Sequence, residues 1–163
     1  MSSVPPDLRN RLERLIRTCA REVDGLLQVE RRLFAERLDT EKMLTLDQRP
    51  DLQDRIESFA ARFGRLQDNL AGKLLPTYFS ASGEPPRLMA DMLDRAERVG
   101  LLRSSDEWLD ARRLRNLLVH EYLEDKADLV LHLTRARSAI PLLTDTFEST
   151  RAAVARLLQG PTQ

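Results

Sequence analysis

The chain has little of what most alternatives to a helical protein require. It contains one cysteine and six glycines in 163 residues, and 5% of its residues are aromatic. The single cysteine, Cys19, excludes an intrachain disulfide framework and a zinc site built from cysteines. Cys19 falls in an apolar helical stripe, which favours a buried small side chain. Because no segment alternates apolar and polar residues, the sequence leaves little room for β-strands.

The charge of the chain is balanced, with 26 basic and 26 acidic residues. No overall field therefore attracts nucleic acid or a membrane, and any nucleic-acid function must depend on a local basic site. The basic residues are 23 arginines and 3 lysines, a bias that codon usage across a genome explains better than phosphate binding does. No apolar run approaches the roughly 20 residues that span a bilayer, and the N-terminus lacks the apolar core of a secretory signal. We expect a cytoplasmic protein.

Apolar residues recur at helical spacing, and polar or proline-rich stretches separate the resulting segments. The predicted helices cover 7–38, a bundle seam that begins at Pro50, 87–99, a segment that begins with Ser104 and Ser105, and a last one from Lys126 or Asp128 to about residue 158. A break is expected at 39–49 and a loop at 76–86. Pro141 should kink or split the last helix. The sequence thus predicts one all-α domain over 1–163, an up-and-down bundle of four to five helices.

The segment near the end of the fourth predicted helix is the most informative in the chain. It reads Arg115-Asn116-Leu117-Leu118-Val119-His120-Glu121-Tyr122. Histidine exchanges protons near neutral pH, and arginine can hold a phosphate through two parallel hydrogen bonds. The spacing of Arg115, His120 and Tyr122 therefore indicates chemistry on a phosphodiester.

The helical positions of these residues suggest where they lie. At about 100° per residue, one side of the helix carries the predicted core residues, which are Ala111, Leu114, Leu117 and Leu118. The other side carries Trp108, Arg112, Arg115, Asn116, Val119, His120 and Tyr122. Arg115 and His120 are about 140° apart, too far to share one small group, whereas Asn116 and His120 are neighbours. This geometry favours a site completed by a second copy in a two-fold dimer, with Trp108 and Val119 as apolar interface contacts.

Structural roles for the same residues stay open at this point. A lone histidine is commonly a structural residue, Arg115 can pair with Glu107 or Asp110 on its own helix, and Tyr122 can cover the end of the bundle. The segment from His120 starts like a zinc-protease motif, but Glu124 stands where the second histidine is required, which excludes that reading. His132 lies among leucines and is interpreted as structural.

The motif resembles the signature of the HEPN superfamily (higher eukaryotes and prokaryotes nucleotide-binding). Within it, the Arg115, His120 and Tyr122 spacing is similar to that of HepT-type toxins, which pair with a minimal nucleotidyltransferase antitoxin. The upstream segments also resemble nucleotidyltransferase substrate-binding subunits; they read Arg98-Val99-Gly100-Leu101-Leu102, Trp108-Leu109 and Arg115-Asn116. The motif match is specific across about 30 residues.

The resemblance implies a metal-independent endoribonuclease without a cofactor, working as a homodimer with its active sites at the subunit interface. It assigns phosphate binding to Arg115, acid or base catalysis to His120, and orientation of the phosphate or the histidine to Asn116. It makes Tyr122 the residue to which the antitoxin attaches AMP. Arg112, on the same face, is a supporting basic residue.

A different class of function shares this fold and motif: a non-catalytic subunit that binds nucleotides or a partner for a nucleotidyltransferase. The complete set of Arg115, Asn116, His120 and Tyr122 favours the nuclease. A third possibility, a helical scaffold without a site, leaves the polar face of the helix unexplained.

Overall fold

The computed structural model describes residues 3–120 and 126–160, without the side chain of His120, and this part of the chain is helical with no β-strand. The α-helices are α1 (Pro6–Leu33), α2 (Thr40–Leu44), α3 (Pro50–Asn69), α4 (Leu75–Ala81), α5 (Met89–Arg98), α6 (Ser105–His120) and α7 (Leu129–Gln159). Two 3₁₀ turns, Leu46–Gln48 and Lys126–Asp128, precede α3 and α7, and a π-helical turn, Leu70–Leu74, joins α3 to α4. The prediction of an all-helical fold is confirmed.

The four long helices α1, α3, α6 and α7 pack in a ring. The most extensive contacts join α1 to α3 and α6 to α7, and contacts of α3 with α6 and of α1 with α7 close it. Their buried side chains form one continuous core that includes the stacked rings of Phe59 and Phe63. Cys19 is buried there as expected, and burial raises the pKa of its thiol to about 12. The thiol therefore stays protonated at neutral pH and acts as a small apolar group.

Local capping sets several helix ends. The Ser104 hydroxyl oxygen accepts a hydrogen bond from the Glu107 N–H at 3.1 Å, which confirms the predicted start of α6. Gly100, with φ +80°, ends α5 in the left-handed conformation that glycine favours. The Asp39 carboxylate accepts a bond from the Lys42 N–H at 2.9 Å and starts α2. The helix α1 ends at Leu33 rather than near residue 38. The segment 39–49, predicted as a break, contains the short helix α2.

The loop predicted at 76–86 is wrong for its first half, because the chain stays helical to Ala81. Pro76 would disrupt an ordinary α-helix, since proline lacks the N–H and its ring meets the preceding turn. Here the wider π turn comes just before it, and the Leu75 N–H donates to the Leu70 carbonyl, five residues earlier. The Thr77 hydroxyl donates to the Lys73 carbonyl at 2.6 Å. Widening the helix thus makes room for the proline.

Pro141 does not split the last helix, which runs from Leu129 to Gln159. Pro141 is exposed, while Ile140, Leu142 and Leu143 are buried in the core. Burial of the neighbouring side chains on both sides keeps the helix continuous across Pro141. Within the described residues, no helix is both long and apolar enough to span a bilayer.

Candidate functional site

The candidate site is built on the second half of α6. This helix ends at His120, and the chain is next described from Lys126. The predictions for the imidazole of His120 and for Tyr122 fall outside the described residues. Arg112, Arg115 and Asn116 lie within them, and their positions define the geometry of the site.

The core-facing stripe of α6 differs from the predicted one. Trp108 is buried, with 2% of its surface exposed, and Ala111 and Leu118 are buried on the same side of the helix. The expectation that Trp108 supplies apolar contacts at a dimer interface is therefore wrong. Leu114 and Leu117, predicted as core residues, are only partly buried. The indole is large enough to draw the helix face that carries it into the core.

Because the Trp108 side of α6 faces the core, Arg115 also lies against the bundle, where it contacts α3. At about 100° per residue, Arg115 lies about 20° from Trp108 around the helix. Its guanidinium donates two hydrogen bonds to Asp68, from Nη1 to Oδ1 at 2.6 Å and from Nη2 to Oδ2 at 2.8 Å. The alternatives within its own helix do not occur in the structure, because Glu107 pairs with Arg103 and Asp110 with Arg113.

Gly64 gives the Arg115 side chain the space to reach Asp68. A β-carbon built at position 64 would lie 2.9 Å from Nε and 3.0 Å from Cγ of Arg115, closer than such carbons normally approach other atoms. Gly64 and Asp68 are four residues apart and so lie on one face of α3. The glycine accommodates the aliphatic stem of the arginine, and the aspartate binds its head.

The pair between Arg115 and Asp68 is open to solvent. The side chains are 31% and 54% exposed, respectively. Exposed ion pairs contribute typically about 0–1 kcal/mol because water screens the charges. The paired carboxylate oxygens occupy the positions that two oxygens of a phosphate take in a bidentate contact with arginine. A phosphate can therefore replace the carboxylate of Asp68 at small energetic cost.

Further polar residues surround this pair on the surface. Arg112 and Asn116 are exposed, one turn before Arg115 and directly after it. Within 3–120 and 126–160, the Arg112 guanidinium has no hydrogen bond or ion pair. Val119 is 51% exposed. The exposed side of α6 is thus basic near its middle and apolar next to His120.

A pocket of about 270 Å³ opens beside the pair, between α3, the π turn, the start of α5 and α6. Its lining residues are Gln67, Asp68, Ala71, Gly72, Lys73, Met89, Trp108, Arg112 and Arg115. Gln67 is buried and donates from Nε2 to the Ala111 carbonyl at 3.1 Å, which ties α3 to α6. Its Oε1 has no hydrogen-bond partner among the described residues. An unsatisfied buried acceptor costs about 1–3 kcal/mol and is rare in a folded protein.

Sequence reasoning missed the contributions from α3 and the π turn, which include Gly64, Asp68 and Lys73. Gly64 carried the one available signal, because a glycine inside an otherwise regular helix suggests a close approach by a neighbouring group. Nothing in the spacing of Asp68 or Lys73 relates them to a motif some 40 residues later.

No protein-family model, curated protein or solved structure matches the chain.

Proposed function

We propose that the chain is a metal-independent endoribonuclease of HEPN type, the toxin of a pair whose antitoxin is a minimal nucleotidyltransferase. The observation that supports this most is the two-point contact of Arg115 with an exposed carboxylate. An arginine oriented in this way, five residues before a histidine on the same helix, is suited to bind a phosphodiester. Asn116 is exposed beside it and can orient the phosphate or the imidazole.

RNA carries its own nucleophile, so the enzyme needs proton transfer and charge stabilisation. In the proposed reaction His120 takes the proton of the 2′-hydroxyl while the 2′-oxygen attacks phosphorus. The bond from phosphorus to the 5′-oxygen breaks, and that oxygen leaves with a proton from a water molecule. Arg115, released from Asp68, stabilises the negative charge on the phosphate oxygens. The products are a 2′,3′-cyclic phosphate and a 5′-hydroxyl.

A second candidate function is a non-catalytic subunit that binds nucleotides or a partner for a nucleotidyltransferase. The pocket beside Arg115 favours it, because such a pocket can hold the phosphate of a nucleotide without cleaving it. One experiment separates the two candidates. A nuclease leaves new RNA ends, and a binding subunit leaves RNA intact.

We expect the purified chain to cleave single-stranded RNA in the presence of a chelator such as EDTA. Cleavage should continue because the proposed chemistry uses protein side chains and the 2′-hydroxyl. Mass spectrometry of the fragments should find 2′,3′-cyclic phosphate and 5′-hydroxyl ends. Intact RNA under conditions where the protein is folded would contradict the nuclease and favour the binding subunit, and a DNA strand of the same sequence, lacking the 2′-hydroxyl, is the matched control.

We expect the protein to form a homodimer through the exposed side of α6. His120 and Arg115 are about 140° apart on the helix, and Arg115 is directed toward α3, so a second copy is needed to complete the site. Val119, half-exposed next to His120, supplies apolar surface there. Sedimentation over a concentration series should show a dimer, and Val119→Asp should shift it toward monomer. A wild-type monomer at micromolar concentration would rule out the composite site.

We expect a cognate nucleotidyltransferase with ATP to add AMP to Tyr122 and to stop RNA cleavage. The adenylate would place a bulky anion near Arg115, which neutralises its charge and blocks the substrate. Intact-mass measurement after co-expression should show added AMP, and Tyr122→Phe should abolish it. Tyr78, the other tyrosine of the chain, is the control, and Tyr78→Phe should be modified normally. Equal modification of the Tyr122→Phe variant would assign the modification elsewhere.

A further inference from the structure

The pocket beside Arg115 has a composition that the proposed roles of Arg115, Asn116 and His120 do not explain. We infer that it is a phosphate-binding subsite, which takes the phosphate next to the one held by Arg115 on the same RNA strand. The inference rests on the proposed function, because it names a further contact with the same substrate. It adds Lys73 and Arg112 as the residues that bind this second phosphate.

The charges on the pocket wall favour an anion. The lining holds three cations, Lys73, Arg112 and Arg115, and one carboxylate, Asp68. Asp68 is engaged by Arg115. Lys73 and Arg112 are exposed, and within the described part of the chain neither side chain has a hydrogen bond or an ion pair. Two basic side chains without carboxylate partners at one concave site attract a group with two or more oxygen acceptors, as a phosphate has.

The backbone supports the same assignment. Ala71, Gly72 and Lys73 belong to the π turn, a rare element that is frequent at functional sites. A β-carbon built at Gly72 meets no atom of the described residues within 4 Å, so the wall is open at this point. The turn needed to accommodate Pro76 therefore also brings Lys73 to the edge of the pocket.

The size and position of the pocket limit the ligand. At about 270 Å³ it lies just below the range for small-molecule sites, roughly 300–1,000 Å³. It fits one phosphate with part of its ribose rather than a folded nucleic acid. Arg112 and Arg115 are three residues apart, about 4.5 Å along the helix axis. Their long side chains can contact successive phosphates of one strand.

Trp108 makes the subsite measurable, because it is the single tryptophan of the chain and lines the pocket. Ribose 5-phosphate does not absorb at the wavelengths used and should change the fluorescence of Trp108 saturably, whereas ribose should not. Arg112→Gln and Lys73→Gln should each weaken binding about tenfold or more, the effect typical of losing a hydrogen bond to a charged group. Arg113→Gln is the control, since Arg113 is exposed, pairs with Asp110 and does not line the pocket.

A charge introduced at Gly72 gives a second test that does not remove any residue. Gly72→Glu adds a carboxylate at the open edge, and Gly72→Gln adds a neutral side chain of nearly the same size. The glutamate should weaken binding of ribose 5-phosphate about tenfold relative to the glutamine. Equal affinities of the two variants, or equal binding of ribose and ribose 5-phosphate, would overturn the phosphate subsite.

A competition experiment identifies the source of the phosphate. A short RNA should displace ribose 5-phosphate from the parent protein, and failure of RNA to compete would overturn the assignment to a strand. One outcome is that the parent protein fails to cleave RNA while RNA still displaces ribose 5-phosphate from the pocket, as Trp108 fluorescence reports. In that case the nuclease proposal fails and the subsite stands. If the parent cleaves RNA but Trp108 does not respond to ribose 5-phosphate, the subsite is wrong and the nuclease stands.

Discussion

Replacement of His120 by alanine is expected to slow RNA cleavage by about 10²–10⁴-fold, the usual contribution of one proton-transfer group. The imidazole is the one group in the motif that gains and loses a proton near neutral pH. Binding of RNA should change much less, because phosphate contacts are assigned to Arg115, Arg112 and Lys73. Single-turnover cleavage rates and RNA binding isotherms, measured on the same preparations, check both expectations.

His132→Ala is the matched control for this variant. His132 is the other histidine of the chain, partly buried on α7, and it should be replaceable without loss of cleavage. If the His120→Ala protein folds normally and cleaves RNA like the parent, the nuclease assignment is wrong. If the His132 variant loses activity instead, catalysis belongs to a different part of the molecule.

The second large effect is expected at Arg115, where lysine should not substitute for arginine. An ammonium group cannot form the two parallel hydrogen bonds that Arg115 makes to Asp68 and would make to a phosphate. Loss of one donor that stabilises developing charge typically lowers the rate by about 10²–10³-fold. We therefore expect Arg115→Lys to lose about this much activity, as measured by the rate of RNA cleavage at saturating substrate.

Replacement of Asp68 by asparagine is expected to strengthen RNA binding. If its carboxylate competes with the substrate for Arg115, Asp68→Asn should bind RNA more tightly. If the carboxylate instead positions the arginine, the same variant should lower the cleavage rate without tightening binding. Measuring affinity and rate separately distinguishes these roles, and an Asp68→Asn protein with both values unchanged would contradict any part for Asp68 in the site.

The helices could be predicted from the sequence because their ends depend on neighbouring residues. The Ser104 cap of α6 and the stop at Gly100 follow from local hydrogen bonds and backbone conformation. Pro76 was misread as the start of a loop because the π turn that accommodates it has no simple sequence pattern. Of the two outcomes predicted at Pro141, a split of the helix is wrong, because burial of the residues around it, a tertiary effect, keeps α7 continuous.

The sequence could predict only those site residues that lie on a single helix, α6. The spacing of Arg115 and Asn116 on α6 is visible in the sequence, whereas their contacts depend on which side of α6 faces the core. Ala111 and Leu118 are buried as predicted, but Trp108 shifts the core face toward itself and leaves Leu114 and Leu117 only partly buried. Asp68 and Lys73 come from a different helix and a π turn, so their approach to Arg115 depends on packing that spacing along the chain does not encode.

The packing of Arg115 on Gly64 prepares this side chain for a ligand. A flexible arginine side chain loses about 2 kcal/mol of rotamer entropy when it is fixed in one conformation. In this protein the aliphatic stem of the side chain is already packed on Gly64 when the chain is folded. An arriving phosphate therefore needs to reorient only the guanidinium, and the entropy of ordering the stem is not subtracted from the affinity for the substrate.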